Sequence, residues 1–393
     1  MVLLVPWDPV PGPALEPVSV ESLFSAEEVA RAQDYARQAR LLSLGSLLLS
    51  VLTVSVLGLT RLGPALVRRL PGPWWCQSVL AVTALLLAVR LVTLPLSIAS
   101  WRLRLRFGLS TQDWQQYATD VVLGEAVAVV STGVVVLVLL GCARRWPRLW
   151  PAIAGALLAG LTVAVSFVYP VVVEPLFHEF TPMPSGQLRT EITRVARDQG
   201  VGIDDVVIAD ASRRTTTLNA WVSGIGSTRR VVLYDTLLVD ATQPQVVSVV
   251  AHELAHARNR DVLTGTTMAA LAALAGTGLL GLALSGRMRS RLLRGEHEPG
   301  LPASAVPMLV AVLTLASLAV APVQNAVSRR VETRADVGAL ESTQDPVAFV
   351  ALQQLLARRS LTDPEPPVWT KWLWGSHPHV RERVALAERL FPE

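Results

Sequence analysis

Lysine is almost absent from this sequence: of its 35 basic residues only Lys371 is a lysine and the rest are arginines. No basic run is interleaved with aromatics in a way that would track a nucleic-acid backbone, and the net charge is only +4, so a nucleic-acid partner is excluded. Cysteine is nearly missing too. Cys76 and Cys142 lie at the edges of apolar stretches without a C-x-x-C spacing, which argues against a redox or cysteine-metal role. The first residues, Met1-Val2-Leu3-Leu4-Val5-Pro6, lack a charged leader and a long apolar core, so no signal peptide is expected there. Charge of either sign is scarce at 17%, whereas 51% of the 393 residues are apolar. That is more apolar surface than one soluble core of this length uses, and it points to a membrane protein.

A helix needs about 20 mostly apolar residues to cross the hydrocarbon layer. Six stretches meet that demand: Leu41 to Thr60, Cys76 to Ile98, Val121 to Gly141, Leu149 to Tyr169, Val262 to Ser285 and Ala305 to Val323. The last two are rich in Ala, Gly and Thr, as closely packed membrane helices are. The chain therefore divides into a polar lead-in (1–40), a four-helix membrane region (41–169), a soluble part (170–261), two further spans (262–327) and a soluble tail (328–393). Phe24 to Arg40 reads as an amphipathic helix lying at the interface before the first span. In the soluble part, Gln187 to Gln199 is amphipathic, and Val206 to Ala209, Thr217 to Val222 and Arg230 to Tyr234 are expected strands. The last two flank the glycine-bearing loop Ser223-Gly224-Ile225-Gly226-Ser227. Arginine is spread over the loops on both sides, so its distribution does not decide the orientation.

Val246 to Arg258 has helical periodicity, with Pro244 placed for its first turn, and it contains His252-Glu253-Leu254-Ala255-His256. Histidines four apart on a helix point from one face, where both imidazoles can meet one tetrahedral zinc. Glu253 projects toward the metal's open position and can take a proton from water there. The competing reading is a surface helix with two solvated histidines. A catalytic zinc usually has a third protein ligand. A downstream histidine is excluded, because the positions that would hold the Gly and His of that pattern are Asn259 and Val262. A glutamate from a second helix remains, and Glu332 in Ser328-Arg329-Arg330-Val331-Glu332-Thr333-Arg334-Ala335-Asp336 is the candidate, against the alternative of an exposed carboxylate paired with an arginine. Asp336, one turn on, is placed to hydrogen-bond a ligand imidazole.

With these residues in place the sequence resembles the type I CAAX prenyl proteases and, more distantly, the HtpX-type membrane proteases, from about Phe24 onward. Phe107-Gly108-Leu109-Ser110 resembles the family's loop after its early spans. Pro175-Leu176-Phe177 and Phe180-Thr181-Pro182-Met183-Pro184 resemble the approach to its soluble unit. Asn219-Ala220-Trp221 is similar to its Asn-Ala-aromatic strand, and His377-Pro378 with Glu382-Arg383 to its C-terminal pairs. The six apolar stretches and the resemblance together give the expected fold class: a mainly α-helical integral membrane protein, in which six transmembrane helices carry a zincin-like α+β peptidase unit with a small sheet. The resemblance also implies one zinc ion on His252, His256 and Glu332, with Glu253 as general base and Asp336 behind the ligands. The strand bearing Asn219, Ala220 and Trp221 would be an edge to which the substrate peptide adds. His377 would stabilise the oxyanion with support from Arg383.

Two departures stand out: the family has seven spans where six are counted here, and Ala255 occupies a motif position where the prenyl proteases carry Gly. Arg90 and Glu125 lie inside expected spans, where charge is costly, and are expected either to pair or to line a chamber. Glu296-His297-Glu298 reads as a solvated loop, and His178 and His379 as surface or supporting residues. The expected function is a multi-pass membrane zinc endopeptidase acting on peptides or proteins, lipidated or membrane-embedded ones among them, with its catalytic face cytoplasmic by family analogy. The alternatives are an HtpX-like quality-control protease and a non-catalytic zinc-binding membrane protein.

Overall fold

In the computed structural model, residues 5–10, 12–285 and 300–392 are described. Among the described residues six helices are long and apolar enough to cross a membrane, and each covers all but at most two residues of one of the six expected spans. Helix α1 (Ala26–Leu59) is closed at its start by a Ser25–Glu28 capping box. One further turn, α2 (Leu62–Val67), leads to α3 (Trp74–Arg106) and α4 (Trp114–Arg145), the latter opened by an Asp113–Gln116 box. The next span runs from α5 (Trp150–Val168) through a π-helical turn at Tyr169–Val173, where Pro170 removes a backbone donor, into α6 (Glu174–Phe177). The fifth is α10 (Asp261–Ala283), and the sixth lies within α11 (Val306–Thr343).

Lipid tails are as apolar as leucine, so helices in the bilayer associate by close packing rather than by the hydrophobic effect. Glycines mark these contacts. A Cβ on Gly58 of α1 would lie 2.5 Å from Ala311 of α11, and one on Gly281 of α10 would lie 2.4 Å from the Pro151 ring of α5. Arg90 and Glu125 pair across α3 and α4, Nε to Oε2 at 2.9 Å. Of the two roles expected for them, pairing is the one observed. Both cysteines are free thiols, and Glu296, His297 and Glu298 lie outside the described residues.

The catalytic-side unit is built on a four-stranded sheet of order β1-β2-β4-β3: β1 (Phe180–Pro182), β2 (Asp205–Ala209), β3 (Ala220–Ser223) and β4 (Arg230–Tyr234). β2 and β4 are parallel, while β1 and β3 run antiparallel to their neighbours. The expected loop closes the β3–β4 hairpin. Gly224 sits there at φ 82°, where a Cβ would also lie 2.3 Å from the Thr228 carbonyl. β1 was not expected, because a three-residue strand ending in proline carries no periodicity. One face of the sheet packs Val206, Val231 and Leu233 against Ile192 of α7 (Gln187–Asp198), Leu237 of α8 (Asp235–Asp240), and Val250 and Leu254 of α9 (Gln243–Arg258). Beyond α11 follow α12 (Pro346–Ser360), α13 (Val368–Leu373) and α14 (Val380–Leu390).

The N-terminal lead-in departs from its expected place along the interface. Residues before α1 strap across the catalytic unit. Val20, Leu23 and Phe24 are buried against Ala357, Val380 and Val384, and Arg389 donates to the Pro13 carbonyl at 2.8 Å. The amphipathic stretch is the first part of α1 itself, held to the unit by Glu28–Arg358 and Arg40–Asp363 ion pairs. Its apolar side thus faces a protein core instead of lipid.

Candidate metal centre and active site

Helix α9 owes its place to Thr242, which caps it in a box with Gln245, and to an apolar face that buries Val246, Val250 and Leu254. His252 and His256 project from the same side, with their Nε2 atoms 3.1 Å apart. Helix α11 arrives from the membrane. At 1.5 Å per residue its 38 residues span roughly 57 Å, far more than the ~30 Å hydrocarbon layer. Its upper end therefore stands outside the bilayer and crosses α9 closely, since a Cβ on Gly338 would lie 2.8 Å from that of Ala255. This approach brings Glu332 to the histidines: Oε2 is 3.3 Å from His252 Nε2, and Oε1 is 3.6 Å from His256 Nε2. A tetrahedral zinc with ~2.1 Å bonds needs ligand atoms about 3.4 Å apart. The three separations, 3.1, 3.3 and 3.6 Å, the last two to different oxygens of the Glu332 carboxylate, bracket that value.

Both imidazoles present Nε2 to the centre because carboxylates occupy Nδ1. Asp336 Oδ1 is 2.9 Å from Nδ1 of His252, and Asp261 Oδ2 is 2.9 Å from Nδ1 of His256. An Nδ1–H donated to a carboxylate leaves the Nε2 lone pair free for a metal. Glu332 Oε2 is buried and accepts no hydrogen bond, although His377 Nε2 also lies 3.3 Å away, so the donor set has room for a cation. Asp261 escaped the sequence reading. Arg260 adopts a left-handed conformation, φ 58°, which turns the chain from α9 into α10 and returns Asp261 to its histidine. Arg334 then holds the other Asp261 oxygen. A carboxylate five residues beyond the second motif histidine was the available signal.

Arg383 of α14 clamps Asp336 with two nitrogens, Nε to Oδ2 at 2.9 Å, and its Nη2 also lies 3.5 Å from His252 Nδ1. The structure thus places Arg383 on Asp336. His377 sits on the loop before α14, exposed, with Nδ1 bonded to Ser376 Oγ at 2.9 Å. Burial alone would strip His252 of its proton. Asp336 and Glu332 outweigh it and push the pKa up to about 10, which shows how strongly these carboxylates favour positive charge here. Burial pushes the Glu253 carboxyl above its usual range, with the two histidines opposing. The protein packed around part of the His377 ring, which is otherwise open to solvent, lowers its pKa against the pull of Glu332. A cavity of about 390 Å³ opens beside these groups, lined by His252, Glu253, His377, Arg383 and Asn219 among others.

β3 is paired only with β4 and forms an edge of the described sheet. Asn219, just before it, also lines a second cavity of about 580 Å³ that lies against the ends of α3 and α4. Ala220 is buried in the core, so only its backbone faces a ligand, whereas the Trp221 ring packs with His178, Phe180 and Tyr234. His178 is therefore part of an aromatic cluster, and His379 caps α14 with Glu382.

Residues 182–390, more than half of the chain, match the description of peptidase family M48. The chain belongs to peptidase family M48. Residues 14–179 of this M48 peptidase match a second description, the CAAX prenyl protease N-terminal region with five membrane helices. Four helices of spanning length lie within that stretch. A Bacillus subtilis protein named "Uncharacterized metalloprotease YhfN" is 32% identical over 317 residues, covering 80% of this chain and 74% of that protein. The rice "CAAX prenyl protease 1 homolog" is 26% identical, over 76% of this chain and 70% of its own. The crystal structure of Saccharomyces mikatae Ste24p shares the fold with a TM-score of 0.77, at 21% identity over 98% of this chain and 93% of that one. The protein is a membrane metallopeptidase of the CAAX prenyl protease type.

Proposed function

We propose that this M48 peptidase is a zinc endopeptidase that cleaves peptide bonds in segments drawn across the edge strand β3. The observation that carries the reading is the convergence of two Nε2 atoms and the unpartnered Glu332 oxygen beside Glu253. Zinc held by His252, His256 and Glu332 would polarise water and the scissile carbonyl at its open position. Glu253 takes the proton of the attacking water and returns it to the leaving amine, a task suited to a carboxyl whose pKa burial has raised. His377 reaches from the opposite wall to donate to the oxyanion, and Asn219 holds the extended peptide by its backbone. Arg383 acts through Asp336 by fixing the orientation of His252.

The test compares wild type with Glu253→Gln. Peptide hydrolysis should fall by about 10²- to 10⁴-fold while one zinc per chain is retained, and undiminished hydrolysis would sink the mechanism. Several relatives are named CAAX prenyl proteases. A farnesylated C-terminal peptide is accordingly the first substrate to compare with an unfolded membrane protein, and preference for the latter favours the quality-control reading. We place the catalytic face in the cytoplasm. Labelling of Val239→Cys by an impermeant reagent added outside intact cells would overturn that orientation.

A further inference from the structure

The spans that lead to the site, α10 and α11, differ from α3, α4 and α5 at their ends. On the side away from the catalytic unit, exposed Trp75 and Trp146 stand at the ends of α3 and α4, with Trp74 and Trp150 packed behind them. On the catalytic side exposed Trp114 and Tyr169 do the same, with Trp101 packed against Trp114. These are the aromatic belts that fix membrane helices at the two interfaces. α10 and α11 contain no aromatic residue along their whole length. The short helix α13 and its C-cap residue carry three nearby. Trp369, Trp372 and Trp374 are 41%, 52% and 40% exposed, and Val368 beside them is 76% exposed. Such a cluster in water would be an unexplained apolar patch.

Its position is set by hydrogen bonds to α11. Asn325 Nδ2 donates to the Trp372 carbonyl at 2.8 Å, and Arg329 Nη1 donates to the carbonyls of Lys371 and Gly375 at 2.8 and 2.5 Å. The apolar run of α11 ends at Val323, itself exposed, and Asn325 lies two residues, or about 3 Å, past that end along the helix. α13 is thus docked just beyond the apolar run of a span that lacks aromatics of its own.

We propose that α13 is a membrane-interface anchor, whose tryptophans seat in the headgroup layer of the bilayer and supply α11 with the belt it lacks. The anchor ends at Ser376-His377, so it also sets how far above the lipid the His377 loop stands. This assignment does not depend on the peptidase reading. The test places a bimane label at Trp372→Cys in a Cys76→Ser, Cys142→Ala background, with the full-length protein in lipid nanodiscs and Trp369→Cys as a second site should the first not fold. Val239→Cys, 83% exposed on α8, is the aqueous reference. Lipids with a nitroxide at the headgroup should quench the label at 372 at least about twofold more than the reference, and more than chain-end nitroxides do, while iodide quenches it less. Two results would overturn the anchor: iodide quenching equal to the reference without a lipid response, and shielding from both quenchers, which would place the ring against protein.

Discussion

The bilayer region and the catalytic unit solve the same packing problem with opposite means. In the bilayer, helices meet where a glycine lets backbones touch, at Gly58 on Ala311 and Gly281 on Pro151, and charge is confined to pairs such as Arg90–Glu125. In the catalytic unit an apolar core under the sheet supports α9, and buried His252, Glu332 and Asp336 meet beside it. The contrast teaches that the site is a joint between two regimes: α9 is placed by hydrophobic burial, while α11 is placed by small-residue contact. α11 obeys both, since Gly338 repeats at Ala255 the close approach that its membrane half makes at Gly58.

The largest disruption is expected from Glu332→Ala, which removes the one ligand that α11 would contribute in the proposed site. Bound zinc and peptidase activity should both be lost, as read by metal analysis and hydrolysis. Retention of both would detach α11 from the chemistry. Asp261→Asn comes next. Weakening the carboxylate behind His256 should lower zinc affinity by about 10- to 100-fold in competition with a chelator. Gly338→Ala forces a methyl into a 2.8 Å gap and should cost about 1–3 kcal/mol, measured as a lowered Tm. Ala255→Gly should restore much of this loss, since it reopens the contact from the other helix, and absence of rescue would show that the crossing is held elsewhere. The smallest effect is expected in the membrane. Arg90→Met should leave Glu125 unpaired and lower stability by about 1 kcal/mol, a figure reduced because the arginine is partly exposed, and the double change with Glu125→Gln should recover it.

The six spans, the motif helix and the carboxylate that meets its histidines were legible because each is written in a repeating or fixed spacing. Apolar length gives the spans, i to i+4 gives His252 and His256, and a glutamate on a later helix gives Glu332. β1 and the N-terminal strap were not legible, because backbone hydrogen bonds and long-range burial place them. The strap's amphipathic helix has the pattern that a lipid surface would also accept, so periodicity could not tell a protein partner from a membrane. Asp261 was hidden by a backbone feature, the left-handed Arg260, that no composition rule assigns to an arginine. The role of Ala255 became readable only with Gly338 opposite it: where the resembled family carries glycine in the motif, this chain keeps its small partner on the other helix.

Helix α11 can be regarded as a rod turning in two bearings. One is the Gly58 contact at Ala311 and the other is Gly338 on Ala255, 27 residues apart by numbering, or about 40 Å along the axis. Glu332 rides close to the upper bearing, roughly 31 Å from the lower one. Were the upper bearing to slacken, a swing of only about 2° about the lower would carry the carboxylate ~1 Å, enough to spoil a bond of ~2.1 Å. Two glycines, one in the membrane region and one beyond it in the catalytic unit, thus fix the aim of one side chain.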